Sequence, residues 1–166
     1  MHLEESLAVV PLVERFSGPI VDVGSGGGAP GFAIAAVLPE REVTLLEANG
    51  RKCDFLESVA RDFPNVTVVR GRAEEQATDG FGVAVAKALA SPPVAAEWCL
   101  PLVAPGGAAI LFVGPSADVD ATTRVAVQVG GGKPERHPGF LVVPKLTATP
   151  PGFPRRPGMA RKRPLA

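Results

Sequence analysis

Cysteine is scarce. Cys53 and Cys99 are the only two in 166 residues, far apart and in no metal-ligand or redox spacing, so a disulfide scaffold and a zinc site are excluded and both thiols read as buried in a reducing compartment. Tyrosine is absent and tryptophan occurs once, as Trp98 in a helical stretch where it reads as core. The chain therefore offers no obvious aromatic platform for splayed bases. Its two histidines, His2 and His137, lie toward the edges of the fold without a carboxylate partner placed by the sequence, so both read as exposed polar residues rather than catalysts. Long apolar runs are missing too: none approaches the roughly 20 residues of a membrane span. The opening "MHLEESLAVVPLVERF" carries acids where a signal peptide carries bases. The expected location is the cytoplasm.

What is present fits one domain with room for a core, since 46% of the chain is apolar. Formal charge is zero, but the charges are sorted. Residues 1–132 hold nine Lys/Arg against sixteen Asp/Glu, a net −7, and residues 133–166 hold eight against one, a net +7. An acidic body (1–149) thus leads into a basic, Pro-rich tail (150–166), which reads either as a polyanion contact or as a solvated end.

Along the body, helical and strand patterns alternate. A helix is expected over Leu3–Phe16, restarted at Pro11, followed by a buried strand Ile20–Val23, a glycine loop, and a helix from Gly31 to Leu38. "VTLLE" (Val43–Glu47), "VTVVR" (Val66–Arg70), "GVAVAK" (Gly82–Lys87) and "AAILFV" (Ala108–Val113) read as further strands. Between them lie a helix from Gly50 to Phe63 and one from Pro93 to Val103, the latter ending in a Pro105-Gly106-Gly107 turn. "TRVAVQV" and "FLVVPKL" read as two more strands forming an antiparallel hairpin. The pattern is an α/β fold with a doubly wound, mostly parallel sheet.

The loop "DVGSGGGAPG" joins the first strand to its helix, where glycines let the backbone turn tightly and approach a nucleotide-like cofactor. Gly24, Gly26 and Ala29 satisfy a dinucleotide spacing, so NAD-type cofactors and S-adenosylmethionine (SAM) compete. Asp22 shifts the balance toward SAM: a carboxylate there would repel a pyrophosphate and can meet an ammonium, with a structural cap of the loop as the lesser alternative. Glu47, at the end of the second strand, is placed to accept ribose hydroxyls, and Ala73-Glu74-Glu75 offers partners for an adenine edge or a solvated turn. A dehydrogenase would need a further substrate-carrying half, and no hydride-transfer constellation is visible.

These residues resemble the bacterial small-subunit ribosomal RNA guanine-N7 methyltransferases, also called the glucose-inhibited division protein B family. "HLEESLAV", "VDVGSGGGAPG", "VTLLEANGRKCDFL", "GRAEE", "ERHPGFLVVPKL" and "FPRRPGMARKRPL" carry the likeness across nearly the whole chain. The resemblance implies a Rossmann-like class I SAM-dependent methyltransferase acting on 16S ribosomal RNA, or on the 30S particle, as a monomer without metal. It places Gly24 and Ala29 at the cofactor loop, Ala73 and Glu74 at the adenine, and Lys87 at the methionine end or the target base. It makes Arg155, Arg156, Arg161, Lys162 and Arg163 of the tail RNA contacts. The family has arginine where this chain has Lys87, and lysine where it has Val113. Guanine N7 is an unprotonated acceptor, so no general base is required, and "AKALASPP" lacks the Asn-Pro-Pro-aromatic motif of amino-group methyltransferases. A methyltransferase for a small acceptor, and a SAM- or RNA-binding protein without catalysis, are the alternatives.

Overall fold

Apolar runs bounded by glycine and proline become the strands of one seven-stranded sheet in the computed structural model, which describes residues 3–166. In chain order the strands are β1 (Ile20–Val23), β2 (Val43–Glu47), β3 (Val66–Arg70), β4 (Phe81–Ala86), β5 (Val103–Phe112), β6 (Glu135–His137) and β7 (Phe140–Pro144). Their spatial order is β3-β2-β1-β4-β5-β7-β6. The first five pair in parallel, while β7 lies antiparallel between β5 and β6. Helices α1 (Leu3–Ala8), α2 (Val10–Val13), α3 (Gly31–Val37), α4 (Gly50–Ala60), α5 (Pro92–Cys99), α6 (Val119–Gln128) and α7 (Met159–Lys162) complete the chain. No helix among the described residues is long and apolar enough to cross a membrane. His2 lies outside the described residues.

The period-two alternation of a strand sorts its side chains between two cores. Ile20, Leu45, Val83, Val85 and Ile110 pack with Val9, Val13, Ile34 and Leu56 on the α1–α4 face. Val21, Val23, Ala84, Ala86, Ala109 and Leu111 pack with Ala96, Cys99, Val125 and Val129 on the α5–α6 face. Each fully buried Val, Leu or Ile contributes about 1.5–3 kcal/mol of transfer free energy. Cys53 and Cys99 are both buried free thiols. Burial lifts both above their ordinary pKa.

Three expectations are corrected. "TRVAVQV" is not a strand: it lies in α6, whose start is capped by Asp118 Oδ1 accepting from Ala121 N at 2.9 Å. The hairpin partner of β7 is the polar Glu135–His137 instead. Residues 105–107 do not end a helix. They form an irregularity inside β5, where a Cβ on Gly107 would strike Gly82 O of β4, while Gly82 itself packs against the Ser17–Gly18 backbone before β1. His137 does have a carboxylate partner, since its Nε2 meets Glu135, which also takes a two-pronged contact from Arg15 at 3.0 and 3.1 Å. Those contacts hold the Glu135 carboxyl below its ordinary range, the Arg15 hydrogen bond acting most strongly.

Just past β7, Lys145 has its side chain fully buried. Its ammonium donates to Val103 O (2.6 Å), Leu100 O (2.7 Å), Asp79 Oδ1 (2.9 Å) and Thr149 Oγ1 (2.9 Å). This knot ties the end of the sheet to the chain entering β4 and to the turn after α5, and directs the tail toward α5.

Candidate functional site

Parallel strands aim their carboxyl ends at one edge, and ligands collect where the winding reverses, here between β1 and β4. A cleft of about 310 Å³ opens there, at the lower end of the range for small-ligand sites. Its walls come from the ends of β1 (Val23, Gly24) and β2 (Leu46, Glu47), the turn after β3 (Arg72, Ala73, Glu74) and the chain after β4 (Ala88, Leu89).

The loop sits low because its backbone turns left-handed at Gly24 (φ +70), where a Cβ would lie 2.5 Å from Leu89 Cδ1. Gly26 N donates to Glu47 Oε1 at 2.8 Å, and Asn49 N donates to Oε2 at 2.8 Å. Glu47, 7% exposed, is thus fixed at both oxygens and lines the cleft with acceptor capacity left over. The same Asn49 caps α4 through its side chain, which accepts from Lys52 N at 3.1 Å.

Asp22 takes another place. Alternation along β1 turns it to the α3 side, where it is 1% exposed and its Oδ2 accepts from Gly31 N at 3.0 Å. It caps the first turn of α3 from beneath the loop rather than lining the cleft. Burial pushes its carboxyl up to about 7, against the opposing hydrogen bonds from Gly31 and Ser25. Gly26 and Ala29 likewise shape the loop without lining the cleft.

The tail is neither frayed nor extended. Arg155 forms a two-pronged pair with Glu97 of α5, Nε to Oε2 at 2.8 Å and Nη2 to Oε1 at 2.6 Å, the carboxylate side chain being 5% exposed. Gly158 N donates to Glu74 Oε2 at 3.1 Å, Arg161 Nη2 donates to Leu89 O at 3.0 Å, and the Arg161 guanidinium lies 5.1 Å from the Trp98 ring centroid. Gly158, Arg161 and Trp98 therefore form a wall of the cleft. Trp98 is not simply core: one side packs on the α5–α6 cluster while the other meets Arg161. Arg155 is committed to Glu97. Arg156, Lys162 and Arg163 have exposed side chains.

Lys87 faces a second cavity of about 450 Å³. Its ammonium lies 3.3 Å from Glu5 Oε2 of α1 and 5.7 Å from the Phe112 ring centroid. Phe112 and Phe140, packed edge to face at 4.8 Å, line this cavity together with Val113 and Gly139. Phe112 and Phe140 lie far apart in the chain and meet only through the antiparallel pairing of β5 with β7, so no local pattern announces this aromatic pair. The two cavities meet at Ala88, whose φ of +53 is rare for a residue with a side chain. Sequence reasoning missed Lys52, Arg72, Leu89, Trp98 and Gly158 on the cleft, and Glu5, Phe112 and Phe140 beside it. Only "HLEESLAV" carried a hint of Glu5, as one stretch of the family likeness.

Known proteins agree with this geometry. Structural neighbours include a SAM-dependent O-methyltransferase from Thermotoga maritima (TM-score 0.67, 15% identity, 89% of this chain and 66% of that one). Another is the carbon methyltransferase CurJ (TM-score 0.64, 12% identity, 89% and 54%). At those identities they establish the class I SAM-dependent methyltransferase fold and say nothing of the acceptor. In sequence, the chain is 32% identical to the ribosomal RNA small subunit methyltransferase G of Acetivibrio thermocellus, covering 99% of this chain and 75% of that protein. The corresponding figures are 35%, 99% and 76% for Synechococcus elongatus, and 42%, 71% and 54% for Salinispora arenicola. The family model described as rRNA small subunit methyltransferase G matches residues 1–140. The loop, the cleft behind it and the basic segment folded across it are thus found in a chain that belongs to the ribosomal RNA small subunit methyltransferase G family.

Proposed function

We propose that the protein transfers a methyl group from SAM to N7 of a guanine in small-subunit ribosomal RNA, in the cytoplasm, on naked RNA or on the 30S particle. The observation that carries this reading is the cleft itself: a doubly anchored carboxylate, Glu47, lines it together with the apolar Val23, Leu46, Leu89 and Trp98 at the switch point of a chain from this family. The residues present fit the cofactor. Gly24 brings bare backbone to the cleft wall, where a Cβ would lie 2.5 Å from Leu89 Cδ1. Glu47 accepts the ribose hydroxyls, the turn at Ala73 and Glu74 meets the adenine edge, and Gly24 admits the methionine portion toward Ala88.

When bound, SAM supplies a methyl already activated by its sulfonium, so no side chain has to create the electrophile. Asp22 acts indirectly, holding the start of α3 and with it the loop. Catalysis is then chiefly positioning, because N7 needs no proton removed before it attacks. Arg156, Lys162 and Arg163 present exposed cations for phosphates, each contact adding salt dependence to RNA binding. Arg161 serves the cleft wall and Arg155 the fold.

The test is transfer of labelled methyl from SAM to small ribosomal subunits lacking the N7 modification, with the labelled nucleotide mapped by chemical cleavage. Label at a single guanine N7 is expected. No label while calorimetry shows SAM binding would refute the acceptor and leave the cofactor assignment standing.

A further inference from the structure

The second cavity has the chemistry of a base-reading pocket. It shares Ala88 as a lining residue with the cofactor cleft, so a group placed in it lies beside that cleft. Phe112 and Phe140 give it an aromatic side. At its rim the Lys87 ammonium and the Glu5 carboxylate sit side by side, 3.3 Å apart, the lysine side chain 22% and the glutamate side chain 57% exposed. A donor beside an acceptor at that spacing complements the guanine edge, where the O6 acceptor neighbours the N1–H and N2–H donors. Adenine and cytosine reverse that order, with an amino donor beside a ring acceptor, and uracil lacks the second donor beside its ring N–H.

We propose that this cavity takes the target guanine out of its stack, with Glu5 accepting from N1–H and N2–H while Lys87 donates to O6 and the Phe112–Phe140 pair supports the ring. This rests on the guanine-N7 reading above and adds to it the residues that select the base. With its Watson–Crick edge held at the α1 side, the base turns its imidazole side toward Ala88 and the cofactor cleft. Bases extruded for chemistry are commonly read in this way, through that edge and by stacking.

Glu5 also has an electrostatic role. As the N7 lone pair forms the new C–N bond, the S–CH3 bond breaks with its electron pair left on sulfur. The positive charge of the sulfonium moves onto the guanine ring. A carboxylate hydrogen-bonded to N1–H faces that growing charge and stabilises the product side of the step. Lys87 keeps the carboxylate oriented before RNA arrives.

The test compares small subunits reconstituted from unmodified RNA carrying either guanosine or inosine at the acceptor, since inosine keeps N7, O6 and N1–H but lacks the N2 amino group. The wild-type protein is expected to methylate the inosine particle with a kcat/KM about 5- to 100-fold lower, the discrimination of one good base contact. In Glu5→Gln the rate on guanosine particles falls and the guanosine-to-inosine ratio drops close to one, while calorimetric SAM affinity is unchanged. A purely structural Glu5 would lower both rates together and preserve the ratio, which would overturn the proposal. Equal rates of the wild-type protein on the two particles would overturn it without recourse to any variant. Label on neither particle, with SAM binding intact, would remove the guanine reading of the site and this inference with it.

Discussion

Replacing Arg155 with methionine separates the two roles that a basic tail residue can have. In the structure its guanidinium spans both oxygens of Glu97 at 2.8 and 2.6 Å and also donates to Arg163 O at 3.0 Å. Glu97 is 4% exposed, on a helix face packed against the core. Arg155→Met leaves that carboxylate charged and unpaired in a poorly hydrated place, and breaking a buried pair from one side costs about 3–5 kcal/mol. A domain of this size has roughly 5–15 kcal/mol in all. Urea unfolding followed by circular dichroism should show the loss directly, and the thermal midpoint should fall by on the order of 10 °C. Adding Glu97→Met should restore most of the stability, because an apolar pair of similar volume can replace a buried ion pair. If Arg155→Met unfolded at the wild-type urea concentration and lost only RNA affinity, the arginine would be a phosphate contact and its pairing with Glu97 would play no part in holding the tail.

Asp22→Asn tests the buried cap: the folded carboxyl titrates near 7 and the unfolded one near 3.8, so the native state holds the extra proton between those values and wild-type stability should fall as pH rises from about 4 to about 7. The amide variant keeps an acceptor for Gly31 N, so its urea midpoint should stay flat across that range and exceed the wild type at pH 8. A wild-type profile without the fall would refute the assignment. Lys145→Met should cost about 3 kcal/mol or more, since the carbonyls of Leu100 and Val103 and the carboxylate of Asp79 lose a shared donor; an unchanged unfolding midpoint would contradict it. Changing Arg156, Lys162 and Arg163 together to alanine should lower the slope of log RNA affinity against log salt by about 0.7–0.9 for each phosphate no longer neutralised. The thermal midpoint should not move, and an unaltered salt slope would remove these residues from the RNA interface.

Strands β1 to β4 and the second half of β5 could be read in the sequence because each is a short apolar run closed by glycine, proline or a charge; the first half of β5 carries Pro105, Gly106 and Gly107 and reads as a turn. The failure at "TRVAVQV" has a definite source. Val125, Val127 and Val129 alternate as a strand would, but Val127 is 58% exposed while Thr122 is fully buried, so the helical stripe contains a polar residue and the strand stripe an accident. The capping Asp118 was the signal that decides it. Strand β6 was unreadable, because Glu135, Arg136 and His137 are polar and their pairing comes from β7. At the site, spacing located Gly24, Glu47, Ala73 and Glu74, since a β–loop–α unit fixes them locally. It could not place Arg161 or Trp98 on the cleft, which meet through tertiary packing, nor separate Asp22 from the cleft, which turns on one step of strand alternation.

The tail contacts also bear on how the protein is assembled. Those that wall the cleft and anchor its rim join residues 84, 72 and 58 positions apart, whereas the strand pairs of the parallel sheet beneath, β1–β4 excepted, join neighbouring β–α units. Contacts so distant in sequence carry a loop-closure cost that pairing of adjacent β–α units does not. A chain with every strand paired but residues 155–161 undocked would give a native far-ultraviolet spectrum while presenting an open trough in place of a pocket. A nucleoside bound in the proposed site would draw this piece of the chain into place, and retention of ligand, more than secondary structure content, would report whether a preparation has finished folding.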